Sequence, residues 1–250
     1  MSNNQFTIAL AGNPNTGKST LFNTLTGLKQ HTGNWAGKTV GMAEGEFSHK
    51  HVTYKMIDLP GTYSLFSNST DEEVARNYIV FEKPDLTIVV VDATALERNL
   101  NLALQVLEMT EKVIVCVNLI DEAEKQGIQV NEQRLMNKLG VPVVKISARN
   151  KRGLSQLLDT IDRVVKNELP TTPFQLTYSK ETEAKIAELE PIVKKIIGNA
   201  LPSRWVAVRL LDGDDSLLAE WKKRIGLQAD TQRTTLSQGG MTSGFNGIDS

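Results

Sequence analysis

The chain has 250 residues, 40% of them hydrophobic and 23% charged, and a formal net charge of −1. That length suits one α/β domain with a small companion, and the near-neutral balance argues against a general nucleic-acid or anionic-membrane binder. The single cysteine, Cys116, excludes an internal disulfide and reads as a small buried hydrophobe in a reducing compartment.

Residues 1–5 are polar, so no signal peptide is expected. The apolar run 6–11 reads as a buried strand, and 18–27 as the helix after it. Between them Gly12-Asn13-Pro14-Asn15-Thr16-Gly17-Lys18-Ser19 fits the phosphate-loop pattern G-x-x-x-x-G-K-[ST], with Thr20 in the first helical turn. Backbone N–H groups and the helix dipole make such a turn an anion cradle. Lys18 reaches the β- and γ-phosphates, and the Ser19 hydroxyl can ligate Mg²⁺.

Strands follow at about 40–48 and 51–57, joined as a hairpin by 48–50. The second runs into Asp58-Leu59-Pro60-Gly61, a D-x-x-G in which Asp58 can hold Mg²⁺ through water and the Gly61 N–H can meet a γ-phosphate. Helices are expected at about 71–81 and 96–110, flanking a strand at 86–91. A strand at 113–117 ends on Asn118-Leu119-Ile120-Asp121. The Asp121 carboxylate can accept from the N1–H and amino group of guanine, donors that adenine lacks, and Asn118 braces the base pocket. A helix at 131–139, a strand at 143–146 and a helix at 153–167 complete the pattern. Ser147-Ala148-Arg149 follows that last strand, and the Ala148 N–H can face the guanine O6. Each motif stands at a strand's C-terminal end, where open α/β sheets bind ligands. The expected fold is therefore α/β, the P-loop small-GTPase fold, with a mostly parallel six-stranded sheet and flanking helices.

The companion is a small all-α domain. Pro170-Thr171-Thr172-Pro173 reads as a stiff linker, and Ser179–Ala200 has apolar residues three and four apart. Two short helices around Trp205 and Trp221 are split by Asp212-Gly213-Asp214-Asp215, read as a solvated turn capping the next helix. Residues 231–250 are rich in Thr, Ser, Gln and Gly and read as a linker or tail. The expected boundaries are 1–168, 169–228 and 229–250. His31, His49 and His51 read as exposed surface histidines, with no carboxylate or thiol cluster to make an iron site.

Thr62 stands where Ras-like GTPases carry the water-orienting glutamine, so hydrolysis must lean on another group. Asn15 supplies a reason to expect K⁺: an asparagine there occurs in GTPases activated by a monovalent cation that neutralises transition-state charge.

Taken together, these motifs, with Gly33-Asn34-Trp35-Ala36-Gly37-Lys38-Thr39-Val40 and Asp92-Ala93-Thr94 through Leu96-Glu97-Arg98-Asn99-Leu100, resemble the cytosolic G-domain of the FeoB ferrous-iron transporter family. The resemblance implies GTP and GDP binding with Mg²⁺, slow K⁺-activated hydrolysis and a helical domain that holds GDP. It implies a membrane-embedded transporter domain, normally in the same polypeptide and continuing past residue 250, at the cytoplasmic face of the bacterial inner membrane. It makes Thr39 the switch threonine that ligates Mg²⁺, within a mobile switch I (28–45), and 58–75 switch II. Gly37, Lys38 and Val40 join the nucleotide contacts, and Asn15, Lys18, Thr39 and Gly61 the candidate catalytic set. No nucleic acid is expected as partner; a homo-oligomer is left open. The rival is a soluble GTPase of ribosome or tRNA maturation, though residues 170–228 show no basic stripe. An ATPase with the same loop is disfavoured by Asp121.

Overall fold

The computed structural model describes residues 5–27, 41–66, 69–214 and 216–226, and the backbone path of 30–34. Gly37, Lys38, Thr39, Val40, Trp35, residues 28–29 and 35–40 of the expected switch I and the expected tail lie outside the described residues.

The strands are β1 (Gln5–Gly12), β2 (Gln30–Asn34), β3 (Gly41–His49), β4 (Val52–Asp58), β5 (Leu86–Asp92), β6 (Val113–Asn118) and β7 (Val143–Lys145), in the order β2-β3-β4-β1-β5-β6-β7. The six expected strands all form. β2 is a seventh, so the six-strand expectation is short by one and the expected switch I is strand over part of its length. Its sequence, Gln-His-Thr-Gly-Asn, has no apolar alternation to announce it; it forms by laddering antiparallel onto β3 at the sheet edge. From β4 through β1, β5, β6 and β7 all neighbours are parallel, while β3 pairs antiparallel with β4.

Alternation along the strands sends side chains to opposite faces. Ala9, Ala11, Val89 and Val91 enter one core, and Ile8, Leu10, Ile88 and Val90 the other. On the second face lie α1 (Lys18–Thr26), through Leu21 and Phe22, and α6 (Leu154–Val165), through Leu157 and Ile161. Four helices belong to the first face: α2 (Thr70–Asn77), α3 (Leu96–Met109), α4 (Ile120–Lys125) and α5 (Glu132–Leu139). The helix expected over 71–81 ends early, and a π-helical turn, Tyr78–Glu82, replaces its last part. The short α4 was not expected, since six residues carry too little periodicity to read.

The first core does not stop at the α/β domain. Ile186, Val193, Ile197 and Trp205 belong to the same buried cluster as Ile79, Leu107 and Met109. The first three come from α7 (Lys180–Ile197), capped by Ser179 and carrying Pro191 inside it, and Trp205 from α8 (Ser203–Leu211). A further helical stretch spans 216–226, and its Trp221 stacks on Phe81 at 6.5 Å. The connecting segment is bonded down: Thr172 N donates to Gly140 O and Phe174 N to Leu139 O, both at 2.8 Å. Gly140 has φ +67, and a Cβ there would lie 1.8 Å from Thr172 O.

Two expectations are corrected by packing. The turn before 216–226 is not simply solvated: Asp214 is largely buried against Arg76, while its Oδ1 still accepts from Leu217 N. His49 is half-buried, its Nε2 3.0 Å from Asp159 Oδ1. His51 is exposed.

Candidate nucleotide-binding site

β1 ends at Gly12, and α1 begins at Lys18. Between them the chain turns through two left-handed residues, Asn15 (φ 65) and Gly17 (φ 77). Gly17 is required by space as well as by φ, since a Cβ there would lie 2.4 Å from Asn118 Nδ2. The loop is tied internally by Thr16 Oγ1 donating to Asn13 O at 2.9 Å. Asn15, Ser19 and Thr20 are exposed at its mouth. Asn13 is buried, and neither of its side-chain polar atoms has a hydrogen-bond partner among the described residues.

The D-x-x-G segment lies beside this loop because β4 is β1's parallel neighbour. Leu59 N donates to Leu10 O (3.0 Å) and Thr62 N to Gly12 O (3.3 Å), while Gly61 sits against Pro14. The Lys18 ammonium, 8% exposed, donates to Asp58 Oδ1 and to Leu59 O. Burial pushes the Asp58 carboxyl above its usual range, opposed by Lys18 and the Ser19 hydroxyl. Ser19 and Asp58 present the hard oxygen donors that suit Mg²⁺. Leu59 is buried in the first core, and Thr62 is buried beside the loop.

The elements expected to read a base converge through one side chain. Asn118, 1% exposed at the end of β6, donates from Nδ2 to Thr16 O (2.9 Å) and accepts at Oδ1 from Ala148 N (3.0 Å). It thus ties the phosphate loop to the loop after β7. The Ala148 N–H, expected to face a base, is here given to Asn118. Leu119 takes a left-handed conformation (φ 61) that turns the chain into α4, and Ile120 is buried in the core. Arg149 is exposed. Asp121 Oδ1 is buried without a partner among the described residues, and Oδ2 accepts from Asn150 Nδ2 at 2.8 Å. The Ser147 hydroxyl is the main influence holding the Asp121 carboxyl below its usual range.

Sequence reasoning missed three contributors. Asn150 lies one residue past the Ser147-Ala148-Arg149 motif. Gln105 on α3 accepts from Leu65 N at 2.7 Å, and Arg98 lies over the Tyr63 ring at 5.7 Å; together they hold the segment after D-x-x-G. The heptad spacing of Arg98 and Gln105 on one helix face was the available signal. The D-A-T-x-L-E-R-N-L stretch thereby acquires a role: Asp92 Oδ1 caps the turn at Thr94, and buried Asn99 ties α3 to β5.

A mostly parallel sheet whose strand ends carry a phosphate loop, a D-x-x-G, an N-x-x-D and a third backbone loop defines the P-loop GTPase class of nucleotide-binding domains. Sequence comparison narrows this. The profile described as "Ferrous iron transport protein B" matches residues 6–161, and one described as "FeoB cytosolic helical domain" matches 178–238. The chain belongs to the FeoB family. It is 42% identical over 217 residues to the "Fe(2+) transporter FeoB" of Shigella flexneri and equally to that of Escherichia coli (strain K12). Each match covers 84% of this chain and 27% of the relative, so the chain spans about a quarter of their length. Among solved structures, the cytosolic domain of T. maritima FeoB in a GDP form is 38% identical with a TM-score of 0.80, covering 88% of this chain and 86% of that one. The same domain in a GMPPNP form gives 38% and 0.78, covering 87% and 85%. The cytosolic domain of L. pneumophila FeoB gives 35% and 0.75, covering 82% and 80%. Among the described residues, no helix is long and apolar enough to cross a membrane, and no group of three or more His, Cys, Asp or Glu could hold a metal.

Proposed function

We propose that this chain is a GTP-binding and GTP-hydrolysing regulatory unit of a bacterial Fe²⁺ transporter. The observation that carries the reading is the joint between Asn118, Thr16 and Ala148, which brings phosphate-holding and base-reading loops into one cradle with an Asp121 oxygen unpartnered beside it. The relatives solved with GDP and GMPPNP support it. The unit divides as 1–168 for the G-domain, 169–228 for the helical domain and 229–250 for a linker or tail. It works at the cytoplasmic face of the inner membrane, with the membrane-embedded part of the transporter as its partner.

In this reading the phosphate-loop amides hold the nucleotide's phosphates, and Lys18 turns from Asp58 to the β- and γ-phosphates. Ser19, Thr39 and Asp58 would hold Mg²⁺, which would supply neutralisation of phosphate charge. Asn15 would hold K⁺, which would supply the charge neutralisation that an arginine finger gives other GTPases. The Gly61 N–H meets the γ-phosphate, so 28–45 and 58–75 change state on hydrolysis. Asp121 reads the guanine edge. Thr62 is buried with its N–H on Gly12 O, and its side chain is shorter than the glutamine that orients water in Ras-like GTPases.

The test is GTP hydrolysis in matched KCl and NaCl by wild type and Asn15→Ala. A K⁺-selective rise that Asn15→Ala removes supports the mechanism. Equal rates in the two salts would remove K⁺ from it.

A further inference from the structure

The loop after β7 is closed on itself. Ser147 and Arg152 exchange both backbone hydrogen bonds at 3.1 Å, and the return to α6 passes through Lys151 (φ 58) and Gly153 (φ 77). A Cβ on Gly153 would lie 2.3 Å from Lys145 O, so the loop's exit has no slack. Its far end is clamped to α4 by a two-pronged Arg152–Glu124 pair at 2.7 and 2.8 Å. Asn150 projects from this hydrogen-bonded loop at the surface, with its own N–H directed to Ser147 Oγ (3.4 Å) and its Nδ2 2.8 Å from Asp121 Oδ2. The other carboxylate oxygen, Oδ1, is buried with no hydrogen-bond partner among the described residues, and the Ser147 hydroxyl beside Asn150 N also acts on the carboxylate.

We infer that Asn150 is a positioning residue for base selection: by anchoring one oxygen of Asp121 it fixes the plane of the carboxylate, and so sets the preference for a 6-oxopurine that carries a 2-amino group over one that lacks it. The inference rests on the guanine reading of Asp121 and deepens it. A carboxylate turns about its Cβ–Cγ bond. A base edge with two donors needs both oxygens in one plane, whereas a single N1–H donor follows one oxygen wherever the plane turns. Oδ2 keeps a second lone pair while Asn150 occupies the first, so the anchor does not exclude the base. Arg152 grips the same loop and acts on Asp121 through charge but not through a hydrogen bond, which makes it the control for loop stiffness and local charge without the anchoring bond.

The experiment measures dissociation constants of wild type, Asn150→Ala, Asn150→Ser and Arg152→Ala for GDP, IDP (guanine without its amino group) and ADP. Loss of one orienting hydrogen bond should weaken GDP about five-fold in Asn150→Ala and IDP less than about two-fold, so that the GDP/IDP preference falls. Asn150→Ser, whose hydroxyl is too short to span the gap, should behave the same way. Arg152→Ala should leave the ratio unchanged. An unchanged ratio in both Asn150 variants, or tighter GDP binding, overturns the inference while leaving the guanine reading standing. Wild type that binds ADP as well as GDP overturns both.

Discussion

Arg76 and Asp214 meet at 2.9 Å across 138 residues of sequence, with the arginine side chain wholly buried and the aspartate 8% exposed. One sits on α2, just past the D-x-x-G segment, and the other on the turn after α8. Ser216 Oγ accepts from both terminal guanidinium nitrogens at 3.2 Å, and Asn77 Oδ1 from Nε and the second of them at 3.1 Å. Burial pushes the guanidinium pKa down and Asp214 opposes it. Truncating one member of such a pair strands a charge, so Arg76→Ala should cost about 3–5 kcal/mol. Urea unfolding measures it; a loss below about 1 kcal/mol would mean that water reaches the site freely.

Gly17→Ala should abolish nucleotide binding. The added methyl group both meets Asn118 Nδ2 and demands a left-handed conformation of a residue with a side chain. The backbone cost alone is about 1–3 kcal/mol. Titration with a fluorescent GDP analogue is the check, and binding at wild-type strength would show that the loop is soft enough to absorb the change.

Asn118→Ala should loosen two loops at once. It leaves Thr16 O and Ala148 N buried and unpaired, at about 1–3 kcal/mol for each orphaned group. Hydrogen exchange of Ala148 N–H reads the second effect directly: protection should drop relative to β6 amides. Retained protection would mean that another acceptor takes over.

Alkali should destabilise the fold in a defined window. Burial pushes the Tyr78 and Tyr178 hydroxyls up from 10.0 to about 12, with Glu82 and Glu108 adding to the respective effects. Unfolded tyrosines ionise near pH 10, so between pH 10 and 12 the native state holds more protons than the unfolded one. Their contribution is full below pH 10 and is lost as pH rises through 12. Absorbance titration at the phenolate band should show both ionising late in native protein; ionisation of both near pH 10 would contradict the burial.

Cys116 is fully buried in β6, and burial pushes its thiol well up. A thiol that forms little thiolate reacts slowly. A thiol-reactive dye should label the chain at neutral pH only after denaturant is added, and prompt labelling of native protein would place Cys116 outside the core.

Much of this was legible in the sequence because the constraints are local. Gly12, Gly17, Lys18 and Ser19 sit within eight residues and obey one geometric demand. Strands β5 and β6 announce themselves as continuous apolar runs, as strands buried on both faces do. What was missed depends on distance. Nothing near Arg76 points to Asp214, and nothing in Asn150 points to Asp121, 29 residues earlier. β2 carries no pattern, since an edge strand can be held by its ladder alone. Ser69 with Glu72 is a capping-box spacing that would have placed the start of α2, and the Ser69 side chain does accept from Glu72 N.

Leu10 faces Asp58 across the β1–β4 ladder, Leu59 N bonds to Leu10 O, and Thr62 N bonds to Gly12 O. The contact between phosphate loop and D-x-x-G segment is thus the last rungs of a sheet that continues beyond its strands. Peeling that segment away shortens the ladder from its open end, like drawing a zip by its final teeth. Any opening of that segment has to break the Thr62–Gly12 and Leu59–Leu10 hydrogen bonds before it reaches the register of Leu10 and Asp58.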